Sequence, residues 1–460
     1  GTGPDADASA IAAAIAYGVA GTPMPAYAGA VSDGDLADLA AFVAALAPPA
    51  AITDAPPLPD LAPEVIEADR ASQATTAGYR PGAAGDPDGA PFGGTIALEA
   101  APAALAPAEA SLSSRQCGRC HAKQLREWQG TIHARAASPG LTAQLVRIAP
   151  AEGESCRRCH APLAEQAPLV RPGQRGGDDR DRTYAANDRY DASLAAEGLT
   201  CAGCHVRGGV RHGPPSIAPS LLPLPGYPAV GLAVYERGDL CLACHQLPPR
   251  LAVAGRPLLD TYREWLYGPY MRRGIQCQHC HMPNREHTWK GVHDPDTFRQ
   301  GIAVDARARR DAAGAVAVTA TVTNIGAGHD LPTTPTPAAW LEVELIDAGG
   351  ATLAGTTASR RIGRELRYGA RGFEQVEDTR IPPGGSLALD HAWPRDAAAK
   401  AAAVRVRVRV RPDDYYEGFY RRRLAGPLAP AARRDFEAAL ARARASAYVA
   451  YEQRWPIAGP

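Results

Sequence analysis

Five times in this chain two cysteines stand three residues apart with a histidine directly after the second: Cys117–Cys120–His121, Cys156–Cys159–His160, Cys201–Cys204–His205, Cys241–Cys244–His245 and Cys277–Cys280–His281. These copies use all ten cysteines of the 460 residues. On a helical turn, positions i, i+3 and i+4 share one face, so each copy aims two thiols and an imidazole to the same side. A zinc site also uses Cys-x-x-Cys pairs, but needs no histidine directly after each pair. A redox dithiol would occur once rather than five times. A disulfide framework leaves the five histidines without a purpose.

The reading that accounts for every copy is covalent haem. The two thiols form thioethers to the vinyl groups, and the histidine is the proximal iron ligand. Five haem c groups are therefore expected, on Cys117, Cys120, Cys156, Cys159, Cys201, Cys204, Cys241, Cys244, Cys277 and Cys280. The composition agrees. The chain has six Phe and three Met but 46 Gly and 42 Pro. That is little bulky apolar matter for a side-chain core across residues 115–295, where flat apolar porphyrins would take its place. The region is expected to be short helices and loops wrapped on haem, and to depend on it for folding. Covalent haem is attached outside the cytoplasm, which implies an exported, periplasmic or extracellular protein.

The remaining composition excludes more than it suggests. Lys and Arg balance Asp and Glu, 49 against 49, so nothing points to nucleic acid or to an anionic membrane surface. No apolar run reaches the roughly 18 residues of a membrane span, and no signal peptide is visible. Residue 1 is Gly, so the chain reads as a mature or truncated product.

Each iron needs a second axial group or stays open. Seven histidines lie outside the motifs. His279 sits between two motif cysteines, and His391 ends a strand-like run, so ordinary roles suit both. His133, His212, His287, His293 and His329 remain, five candidates for five irons, which suggests bis-histidine ligation throughout. An ordinary surface role stays open for any one of them, most of all for His212 in its "RGGVRHGPP" loop. Met271 and Met282 read as gap fillers rather than ligands. Two weak repeats, "LREWQGTIHARA" (Leu125 to Ala136) and "YREWLYGPYMRRG" (Tyr262 to Gly274), align Trp128 with Trp265 and set His133 against Tyr270.

The chain divides into five parts. Residues 1–47 resemble the distal half of a class I cytochrome c, in which the methionine of a "GTPMP" loop, here Met24, ligates iron and a helix follows. Asp33 is expected to cap that helix, with Leu36, Leu39, Ala40 and Val43 on one side. The Cys-x-x-Cys-His half is absent. The favoured reading is a sequence that begins inside that domain; the other is a relic without haem. A sixth haem at Met24 is implied only if the missing half is present. Residues 48–112, rich in Ala, Pro, Gly and Asp, read as a linker or arm. Residues 113–300 carry the five motifs.

From residue 301 to 425 the period changes to two. "AVAVTATVTNI", "AWLEVELID" and "AVRVRVRVRP" alternate as strands of a small antiparallel β-sandwich. In the last run Arg405, Arg407, Arg409 and Arg411 share a face, either solvated or docking an acidic partner. The glycines of "TNIGAGHDLPT" allow a tight loop to bring His329 against something flat. Residues 426–460 are expected to form a C-terminal helix. The fold class is thus α+β: helices and loops on haems, then a β-sandwich, then a helix.

"CRRCHAPLAEQAP", "GLTCAGCHVR", "GIQCQHCHMP" and "VTNIGAGHDLPT" resemble the multihaem c-type cytochromes related to the tetrahaem electron carrier of ammonia oxidisers. Hydroxylamine oxidoreductase and pentahaem nitrite reductase share that broader lineage. The resemblance covers residues 115 to about 425. It implies haems stacked in parallel and perpendicular pairs. It also implies proximal roles for His121, His160, His205, His245 and His281, and distal ones for His133, His293 and His329. The lysine variant of the motif found in nitrite reductases does not occur here. The favoured function is a non-catalytic electron carrier between other cytochromes or redox proteins, as a subunit of a respiratory complex or of an extracellular filament of identical subunits. The alternative is a multihaem oxidoreductase that acts on a small nitrogen or sulfur compound at an open haem.

Overall fold

The structure is a computed structural model and describes residues 15, 32–45, 111–145, 148–170, 184–207, 210–214, 229–231, 233–369 and 372–459. Met24 and nearly all of the segment 48–112 lie outside these residues. Helices and strands both occur, as the α+β expectation requires. No helix among the described residues is long and apolar enough to cross a membrane.

In the N-terminal segment, helix α1 spans Asp33–Ala45. Its cap is Ser32 rather than the expected Asp33: the Ser32 hydroxyl accepts from the Asp35 N–H at 3.2 Å. Ala40 is buried, but Leu39, Phe42 and Val43 are exposed.

The motif region is a string of short elements. The second to fifth motifs end helices α2 (Pro150–His160), α3 (Cys201–His205), α4 (Asp239–His245) and α5 (Cys277–His281). Each helix stops at its histidine because the next residue leaves helical φ/ψ. The first motif starts in a single turn, Ser114–Cys117, and continues as a turn to Cys120. Side-chain cores here are small. One gathers Leu163, Leu194, Ala202 and Val206; another gathers Tyr262, Trp265 and Leu266, with Met271 packed against it.

The large core lies in the β domain. Strands β1 (Ile302–Arg310), β2 (Val316–Asn324), β3 (Ala338–Ile346), β4 (Ala358–Ile362), β5 (Arg364–Gly369), β6 (Gly372–Asp378), β7 (Ser386–Trp393), β8 (Ala403–Arg411) and β9 (Tyr448–Ala458) follow in order. Seven of them join in the order β4-β3-β8-β9-β1-β2-β7, while β5 and β6 form a separate hairpin. Alternation does the work. Val404, Val406, Val408 and Val410 are fully buried, and they pack with Leu341, Val343 and Leu345 of β3 and with Val316, Val318 and Val322 of β2. At roughly 25 cal/mol per Å² of apolar surface removed from water, that interior dominates the stability of the domain.

Two expectations are corrected. The chain does not end in a helix. Helix α7 (Pro430–Ala445) stops at Ser446, and Tyr448–Ala458 forms strand β9 between β8 and β1. "YVAYEQRWP" is rich in aromatics and carries Pro456, which a helix interior rejects. The expected antiparallel sandwich is instead one continuous seven-stranded sheet, and not wholly antiparallel, because β9 meets β1 in parallel at Ile457–Ala308 and Ala458–Arg309. A further helix, α6 (Asp414–Leu424), lies inside the stretch read as sandwich. Its Tyr420 packs with Phe436 of α7 and with Ala143 of the motif region, which joins the C-terminal helices to the earlier part.

The arginine face of β8 has its acids at home. Arg405 and Arg407 both meet Glu344 at 2.8 and 3.1 Å, Arg407 also meets Glu452, and Arg409 meets Glu342 at 3.0 Å. Three of the four arginines considered for an acidic partner are thus already paired across the sheet.

Candidate iron-ligand site

None of the ten motif cysteines is joined to another in a disulfide, and each residue is half-buried or exposed. Free cysteines are otherwise among the most buried of residues. Thiols of different motifs lie side by side: Cys117 with Cys201, Cys159 with Cys244, and Cys241 with Cys277. The Cys277 thiol, together with burial, pushes the Cys241 thiol well above its ordinary range. The first motif therefore adjoins the third, the second adjoins the fourth, and the fourth adjoins the fifth.

Three motif histidines face a second imidazole from far along the chain. The ring centres of His133 and His245 are 6.4 Å apart, those of His205 and His287 6.1 Å, and those of His281 and His329 6.3 Å. Two rings on opposite sides of one metal, at metal–nitrogen bonds of about 2 Å, place their centres roughly 6 Å apart. The rings differ in mutual angle, 61°, 32° and 11°, and rotation about bonds of that kind would leave such a spacing unchanged.

The ring nitrogens agree with that role. An imidazole ligand normally ties its other nitrogen to a carbonyl or carboxylate, which fixes the tautomer and the ring orientation. Nδ1 meets a backbone carbonyl in His160 (Ala136, 2.9 Å), His205 (His212, 2.7 Å) and His281 (Lys290). The same holds for His287 (Arg285, 3.0 Å) and His329 (Asp330, 2.8 Å). In His205, His281, His287 and His329 this leaves Nε2 free of that carbonyl, whereas His133 Nδ1 is buried without a hydrogen-bond partner. Burial favours the neutral form, the one that binds metal, in His133, His245, His287 and His329. It lowers the pKa of His133 to about 3 and those of His245 and His329 to about 4.

The loops that deliver these rings have physical reasons. A Cβ at Gly326 would lie 2.5 Å from the Gln300 carbonyl, and one at Gly328 would lie 3.1 Å from the Tyr270 ring. Close approach to backbone demands glycine at 326, while at 328 a larger residue would press on the Tyr270 side chain. Tyr270, which the repeat sets against His133, packs under the histidine loop and donates to the Ile325 carbonyl at 3.2 Å. Trp289 was not singled out in the sequence. Its indole makes edge-on contacts with His133 at 4.8 Å and His287 at 5.2 Å, and so touches two of the three pairs.

The other candidates are placed differently. Nε2 of His293 meets Asp413 at 3.2 Å. His212 supplies the carbonyl that orients His205. Among the described residues, neither His121 nor His160 is drawn into an imidazole pair. His279 accepts the Gln276 N–H at 2.8 Å and caps α5. His391 packs edge-on against Trp393 on β7. Among the described residues no three His, Cys, Asp or Glu side chains gather as a metal cluster. The donors come as opposed pairs, which fits an iron whose remaining four positions belong to a porphyrin rather than to protein.

No family model matches the chain, and no curated protein sequence does. Among solved structures, the chain is similar to the crystal structure of a penta-heme cytochrome c552 from Thermochromatium tepidum. The identity is 19%, the match covers 76% of this chain and 100% of the other, and the TM-score is 0.54. At that identity the likeness is one of fold.

Proposed function

We propose that this chain is a pentahaem c-type cytochrome that conducts electrons between redox partners outside the cytoplasm. The observation that carries the reading is the set of three imidazole pairs at 6.1–6.4 Å, each joining a Cys-x-x-Cys-His histidine to a ring at least 48 residues away in sequence. The fold shared with a penta-heme cytochrome supports it. Each cysteine pair would hold one haem by thioethers. His205/His287, His245/His133 and His281/His329 would supply both axial ligands of three irons. When bound, the haem supplies one-electron chemistry at iron. The protein favours the neutral form of His133, His245, His287 and His329, and a pair of histidines would keep the potential below that of a Met/His pair. Adjacency joins the first motif to the third and both the second and the fifth to the fourth, and the Cys204 and Cys241 thiols, near enough to interact, link the two groups into one array. Trp289 lies between the third and fourth sites. Periplasmic or extracellular location and redox-protein partners follow from the same reading, and the tetrahaem carriers of ammonia oxidisers are the kin proposed for it.

A second reading has its own support. Among the described residues, His121 and His160 are exposed and neither is drawn into an imidazole pair. An iron at either motif would be the place for a small nitrogen or sulfur compound to bind, which would make the chain an oxidoreductase. Intact mass and low-temperature EPR of the purified protein test both. Five haem increments with only low-spin signals are expected of the carrier. A high-spin signal that shifts with nitrite or hydroxylamine would favour the enzyme, and a protein without covalent haem would end both.

A further inference from the structure

The two Arg-Glu-Trp repeats perform the same task twice. Trp128 and Trp265 are both buried, at 7% exposure each. The Trp128 indole N–H donates to the Leu199 carbonyl at 2.8 Å, and that of Trp265 donates to the Ile275 carbonyl at 2.9 Å. Each acceptor stands two residues before the first cysteine of a motif: Leu199 before Cys201, and Ile275 before Cys277. The glutamates reach the other way. Oε2 of Glu127 accepts from the backbone N–H of His287 at 2.9 Å, and Oε2 of Glu264 accepts from that of Asp330, next to His329, at 3.2 Å. His205 and His287 form one imidazole pair; His281 and His329 form another. Each dipeptide therefore holds the backbone that leads to both halves of a single pair. Successive residues on a helix point about 100° apart, since 3.6 residues make a turn. Neighbouring Glu and Trp thereby reach the two sides of one site at once.

We propose that Glu127–Trp128 and Glu264–Trp265 are duplicated clamps, each of which positions both axial histidines of one iron. The indole fixes the entry to the motif helix, and the carboxylate fixes the loop that brings the opposed ring. This rests on the haem reading above. It adds that four residues with no metal-binding role of their own set the ligation of two particular sites.

The test uses the haem-loaded full chain with Glu127→Ala, Trp128→Phe, Glu264→Ala and Trp265→Phe. The readouts are low-temperature EPR and carbon monoxide binding to the reduced protein. Glu127→Ala and Trp128→Phe should both change the same low-spin signal and open that one iron to carbon monoxide. Glu264→Ala and Trp265→Phe should both act on a different one. Glu127→Gln and Glu264→Gln, which keep an acceptor oxygen, should restore the wild-type spectra and serve where an alanine variant does not accumulate. Members of one dipeptide that alter different signals would overturn the clamp. So would variants that melt earlier while every signal and the absence of carbon monoxide binding persist. A wild-type protein without low-spin haem would instead remove the reading beneath it.

Discussion

Glu264 offers a sharp test of the electrostatics around the second clamp. Its side chain is 7% exposed and meets Arg380 at 2.8 Å. Burial and the neighbouring Asp330 carboxylate raise its pKa from an ordinary 4.5 to about 7, against the opposing pull of Thr333 and Arg380. Below pH 4.5 both folded and unfolded chains hold the proton, and there is no penalty. Between 4.5 and about 7 the unfolded chain has released a proton that the folded chain keeps, so stability falls as pH rises. At about 1.4 kcal/mol for each tenfold change in proton affinity, the full loss is at most about 3 kcal/mol. Glu264→Gln is neutral throughout and should lack that loss. The assay is denaturant unfolding of both holoproteins from pH 4.5 to 8, followed by far-ultraviolet circular dichroism. The variant should match the wild type near pH 4.5 and exceed it by up to about 3 kcal/mol at pH 8. Equal slopes, or a wild type that gains relative stability across the window, would refute the reasoning.

Other consequences are as direct. Gly326→Ala drives a Cβ to 2.5 Å from the Gln300 carbonyl, so the loop must move and the His281/His329 low-spin signal should be lost. Gly328→Ala meets only the Tyr270 side chain and should shift that signal without abolishing it. Trp289→Leu removes ring contacts to His133 and His287 and should alter two low-spin signals while leaving the others in place. Glu344→Ala strips the shared acid from Arg405 and Arg407; because Glu452 still reaches both guanidiniums, it should cost only about 1 kcal/mol in a thermal melt. His205 and its partner motifs should keep their spectra in that last variant, since the change lies in the β domain.

How much of this was legible beforehand differs by element. The motif spacing is local chemistry: thiols and imidazole share a face wherever Cys-x-x-Cys-His lies on a helix, and four of the five motifs do lie on one. The alternation of "AVRVRVRVRP" announced its buried valines for the same reason, since period two follows from the backbone alone. The glycines around His329 announced a close approach. Their neighbours, the Gln300 carbonyl and the Tyr270 ring, could not be named from the chain. The terminal strand was missed because "ARARASAYVAYEQRW" carries helical propensity up to Ser446. What converts the remainder to strand is an open position between β8 and β1.

Composition, spacing and period decided that this chain carries ten thiols in five identical units and a valine-rich sheet, because those properties reside in neighbouring residues. Tertiary structure alone decided which imidazole faces which: His205 with His287 rather than His212, and His293 with Asp413 rather than with another ring. It also turned a faint Arg-Glu-Trp repeat into two matching sets of contacts. Pairing between residues dozens to more than a hundred positions apart depends on how the whole chain packs, and no local pattern encodes it.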